Sequence, residues 1–128
     1  MMRADLETLG RRAVACAEWR WMEGMLGVDA AGAHFRLALT AKTAASDPER
    51  YARVLARRNT YVPDLSDPAS LGCLLALVRE KHGAGCCSVP AYLDLSEWWV
   101  CGASESKLVL AKGATEAEAL VAALEACK

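Results

Sequence analysis

Isoleucine is absent from this sequence, and there is one phenylalanine, Phe35, one asparagine, Asn59, and two histidines, His34 and His82. The codons for Ile and Asn are AT-rich, so their scarcity fits a GC-rich genome. With 25 Ala but 17 Leu and 9 Val, the core must rest on Leu, Val, Met and the four Trp, because Ala buries little area at roughly 25 cal/mol per Å². Neither sign of charge dominates: the net charge is −1, which excludes a strongly basic nucleic-acid-coating protein. The composition also excludes collagen and low-complexity disorder. No apolar run approaches the ~18 residues that cross a bilayer, and the charged start Arg3-Ala4-Asp5-Leu6-Glu7 is unlike a signal peptide. The expectation is a soluble cytoplasmic chain with no membrane contact.

Catalytic and metal signatures are also missing. There is no G-x-S-x-G, no H-E-x-x-H and no Gly-rich phosphate loop. His82 falls in the last turn of a helix, and His34 on the polar side of a strand. Six cysteines stand at 16, 73, 86, 87, 101 and 127, and in a cytosolic chain they are expected as thiols. A site drawn from His82, Cys86 and Cys101 lacks the usual C-x₂₋₄-C spacing. The expectation is therefore no catalytic residue, no metal, no cofactor and no small-molecule substrate.

What is present is periodicity and punctuation. Leu6, Leu9, Ala13, Cys16 and Ala17 predict an amphipathic helix over 4–19. Trp19 to Leu39 reads as strands: Trp19 and Trp21 share a face, and a small-residue turn at Asp29-Ala30-Ala31-Gly32-Ala33 makes a hairpin. Residues 40–60 read as a variable loop plus a short helix that starts at Asp47-Pro48. Thr60-Tyr61-Val62 is extended before Pro63.

Asp67-Pro68 starts another helix, with Leu71, Leu74, Leu75 and Val78 on its buried face, ending at Lys81-His82-Gly83. Strands follow, with Pro90 marking an edge, then Trp98-Trp99-Val100-Cys101, then Lys107 to Ala111. Thr115 and Glu118 form a capping box for a last helix that buries Ala117, Leu120, Val121 and Leu124.

These elements predict a single domain over 1–128 of α+β class. It would be an antiparallel sheet of four to six strands with helices packed on both faces, a three-layer α/β/α sandwich.

Two features could bind partners. Trp98 and Trp99 are adjacent in a strand, so they point to opposite faces, and an exposed Trp is a good interface anchor. Arg50, Arg53, Arg57 and Arg58 lie on a short helix; between Arg36 and Thr60 six basic side chains face two acidic ones, a net of +4. Such a stripe can meet phosphates. The expected partner is a protein, with nucleic acid through these arginines as the alternative.

The stretch from Tyr61-Val62-Pro63-Asp64-Leu65-Ser66-Asp67-Pro68 to Glu80, the Trp-bearing Glu97-Trp98-Trp99-Val100-Cys101 and the helix from Thr115 to Ala126 together resemble small phage-encoded proteins, and the nearest family is the phage ABA-sandwich domain. The likeness covers residues 1–24 and 61–128. It implies a helix–sheet–helix fold, a phage or prophage origin and a place in the cytoplasm of a bacterial host. It implies no catalytic residue.

Overall fold

The computed structural model describes residues 3–29, 31–37, 46–49, 61–91, 96–102 and 109–126. Three helices and six strands are assigned among them. They are α1 (Arg3–Val14), β1 (Leu26–Val28), β2 (His34–Arg36), β3 (Val62–Pro63), α2 (Pro68–His82), β4 (Cys87–Pro90), β5 (Trp98–Cys101), β6 (Val109–Gly113) and α3 (Glu116–Glu125). The class is α+β, as the periodicities require, and every strand pairing is antiparallel.

Local chemistry sets the ends of these elements. Asp29 closes the β1–β2 hairpin: its Oδ1 accepts the backbone N–H of Ala31 and of Ala33, each at 2.9 Å, and Gly32 takes the positive φ of the turn. Asp67 caps α2, its carboxylate accepting from the Ser70 N–H at 3.0 Å, with Pro68 just inside. Gly83 ends α2 with φ 119°, which a side chain would resist, and its N–H bonds Arg79 O. Thr115 caps α3 by accepting from Glu118 N–H at 3.2 Å. Glu118 reaches back past the cap to accept from the Ala114 N–H at 3.0 Å, a variant of the expected capping box.

The six strands form two sheets rather than one, in the orders β2-β1-β3 and β4-β5-β6. A proline sits in one edge strand of each sheet, Pro63 in β3 and Pro90 in β4. A proline has no N–H to give to a further strand, so these two edges are poor places for the sheets to join. Nor are the helices among the described residues spread over both faces of one layer. α3 packs across all three strands of the second sheet and also contacts α1 and α2, while α1 lies against β3.

This central position explains the breadth of α3's buried surface. Ala119 and Ala123 are buried together with Ala117, Leu120, Val121 and Leu124, an arc wider than a helix needs to cover a sheet alone. On α2 the buried face is turned from the expected one: Ser70, Leu74, Leu77 and Val78 are buried, while Leu71 and Leu75 are half-buried against the core. α1 stops at Val14, short of the expected 19. Trp19 and Trp21 follow it outside any strand, yet they meet edge to face at 5.5 Å and pack on the core as a pair.

Candidate functional site

The second sheet divides its residues cleanly between two faces. Val100 is fully buried and Trp98 packs against the core. Ser88, opposite Val100, donates its hydroxyl to Glu116 Oε1 on α3 at 2.7 Å. The alternating residues must therefore point away from α3. Register aligns Val89 with Trp99, Cys87 with Cys101, Trp99 with Lys112 and Cys101 with Val109, the last across a bulge after Val100.

The outward row is then Cys87, Val89, Trp99, Cys101, Val109 and Lys112. The first five are partly exposed and Lys112 is exposed. Trp99 lies at its middle. Its indole N–H donates to Glu97 Oε1 at 2.6 Å, and Lys112 Nζ stands 5.4 Å from the ring centroid. Lys112 and Glu97 also form a loose ion pair at 3.9 Å. The result is a mostly apolar patch around one held aromatic ring, with one charge of each sign beside it. Of the two tryptophans read from the sequence, Trp98 is a packing residue and Trp99 is the candidate contact.

A polar cluster at the start of α2 is the other place where functional groups converge. Arg36 grips Asp67 through two nitrogens, at 2.6 and 3.0 Å, and also donates to Gly24 O at 2.9 Å. The Arg36 guanidinium, helped by Ser70, holds the Asp67 carboxyl down to about 2. Ser70, fully buried, accepts the Leu26 N–H at 2.9 Å and so ties α2 to β1. Nearby, Ser66 Oγ donates to Asp64 Oδ1 at 2.5 Å, while His34 Nε2 lies 3.4 Å from Asp64 Oδ2. The carboxylate thus stands between hydroxyl and imidazole. This order is hydroxyl–carboxylate–imidazole, not the hydroxyl–imidazole–carboxylate chain of a nucleophilic serine. The cluster fastens β1, β2 and α2 together.

His82, Cys86 and Cys101 are not brought together. His82 Nε2 is 3.1 Å from Ala123 O, Cys86 is fully buried, and Cys101 is in the outward row. Among the described residues no group of three or more His, Cys, Asp or Glu could hold a metal ion, and no helix is long and apolar enough to cross a membrane. Arg50, Arg53, Arg57 and Arg58 lie outside the described residues.

Sequence reading did not select Cys87, Val89, Cys101, Val109, Glu97 or Lys112 as companions of Trp99. Their signal is strand register, which sets residues of three separate strands side by side. No protein-family model, no curated protein and no solved structure matches the chain.

Proposed function

We propose that this chain is a small phage-encoded accessory protein that works by binding a protein, not by catalysis, and that the contact is the outward face of β4-β5-β6. One observation carries the binding reading: both tryptophans are partly exposed, but Trp98 packs against the core while Trp99 faces the other way, at the centre of an apolar row. Tryptophans ringed by apolar residues are the side chains that most often dominate protein–protein affinity. The phage origin is supported by the residue likeness over 1–24 and 61–128.

The occupant proposed is a second copy of the chain. Glu97 and Lys112 stand side by side against the same ring, so a two-fold axis passing between them sets each charge against its opposite. Neither charge would then be stranded against a like one, and the loose 3.9 Å pair within one copy has little to lose.

Sedimentation velocity over a range of concentrations tests this. Wild type should pass from monomer to dimer, and Trp99→Ala should weaken dimerisation about 30-fold, the equivalent of a hot spot of about 2 kcal/mol. Trp98→Ala should instead lower stability by about 3 kcal/mol, as large-to-small core changes do. A wild-type chain that stays monomeric at every concentration, or a Trp99→Ala dimer as tight as wild type, would overturn the reading.

A further inference from the structure

We propose that Cys87 and Cys101 are a reversible thiol–disulfide pair, oxidised by a small-molecule disulfide such as oxidised glutathione. The two residues are direct partners in the β4–β5 register, although they lie far apart along the chain. Both belong to the row facing away from α3, and both are partly exposed, so a soluble oxidant can reach them. Cys86, the neighbour of Cys87, is fully buried and falls on the opposite alternation, so it points away from Cys101.

Spacing supports closure. The Ala91 N–H donates to Glu97 O at 2.8 Å. Hydrogen-bonded pairs recur every two residues along antiparallel strands, so Val89–Trp99 and Cys87–Cys101 belong to the same class. Cα atoms in such pairs are about 5.5 Å apart, within the window of roughly 4.4–6.8 Å that a disulfide spans. In hydrogen-bonded pairs of this kind the Cβ atoms are generally about 5.5 Å apart, against the roughly 3.5–4.5 Å that a relaxed disulfide prefers. Closing the bond must therefore draw the strands together locally. A strained, accessible disulfide has a more oxidising potential than a buried structural one, and that makes it easy to reduce again.

The chemistry balances without any other reagent. The thiolate of one cysteine attacks a sulfur of oxidised glutathione, breaking its S–S bond, forming a mixed disulfide and releasing one glutathione thiolate. The second cysteine's thiolate attacks the protein sulfur of that mixed disulfide and releases the other glutathione. Two protein thiols lose two electrons, one glutathione disulfide gains them, and the two thiol protons pass to the two glutathiones released. The thiol pair does not depend on the proposed dimer: a docked copy would cover this row, so oxidation is expected of the monomer.

The test uses the full chain at a concentration where sedimentation shows it monomeric. The chain is treated with oxidised glutathione, quenched with maleimide under denaturing conditions and weighed intact. With six cysteines in the sequence, the reduced chain should take six maleimides and the oxidised chain four, with full return after reduced glutathione. Trypsin leaves Cys86, Cys87 and Cys101 in one peptide between Lys81 and Lys107. A second cut at Glu97 should leave its two halves joined in the oxidised sample only.

Cys87→Ser and Cys101→Ser, both partly exposed positions, should each fail to form the internal link, whereas Cys73→Ser should form it as wild type does. Retention of six reactive thiols, a link to a different cysteine, a link between two chains, or an internal link that survives in Cys87→Ser would overturn the proposal.

Discussion

Asp67 does several jobs with two oxygens: it caps α2, receives both nitrogens of Arg36 and accepts from the Ser70 hydroxyl at 3.2 Å. Because these partners favour the ionised form, the folded chain holds this proton less readily than the unfolded chain. Its stabilisation is fully present above the ordinary carboxylate value of 3.8 and fades as pH falls towards about 2. Asp67→Asn keeps a capping oxygen but loses the charge. It should cost about 1 kcal/mol at neutral pH, and its gap from wild type should close between pH 4 and 2 in urea titrations. Asp67→Ala loses the cap as well and should cost about 2 kcal/mol. A gap between Asp67→Asn and wild type that is unchanged at pH 2 would show that the carboxylate charge is not what stabilises the fold here.

Two helical glycines make opposite demands on the same substitution. A Cβ on Gly10 of α1 would overlap the side chain of Val62 and lie 2.8 Å from the backbone oxygen of Pro63. The bare backbone is what lets α1 sit on β3. Gly72 on α2 is exposed, and a Cβ there would meet nothing within 4 Å. Gly10→Ala should therefore destabilise by about 1–3 kcal/mol through overpacking. Gly72→Ala should stabilise by about 0.5–1 kcal/mol, because alanine loses less backbone entropy in a helix. Thermal melts of the two variants should move in opposite directions; a Gly10→Ala melt at or above wild type would show that α1 and β3 do not need so close an approach.

At the scale of the whole molecule, α3 is the shared wall. It covers the second sheet, and it touches α1, which in turn lies on β3 of the first sheet. Arg12 of α1 and Glu125 of α3 pair across that contact at 2.5 Å, but their side chains are 46% and 40% exposed, so the join rests on apolar burial rather than on this bridge. Leu124 is fully buried. Leu124→Ala should cost about 2–5 kcal/mol. It should shift far-UV circular dichroism and tryptophan fluorescence by the same amount, because both sheets depend on one helix. Transitions that separate would mean that the first sheet holds without α3.

Much of this fold is legible along the chain, for a physical reason. The Asp67 and Thr115 caps, the Asp29 turn, the Gly83 stop and the prolines at 63 and 90 act between residues no more than a few positions apart, so residue identity alone determines them. Alternation likewise dictates that Trp98 and Trp99 part to opposite faces. It does not say which face a helix will cover, and only the packing of α3 turned Trp98 inward and left Trp99 outside. The same holds for Ser70, a polar residue buried because Leu26, far earlier in the chain, supplies an N–H to it. Two sheets in place of one, and Cys87 set opposite Cys101, are decided by pairing between distant strands. That pairing is a balance of burial and backbone hydrogen bonding that no local pattern encodes.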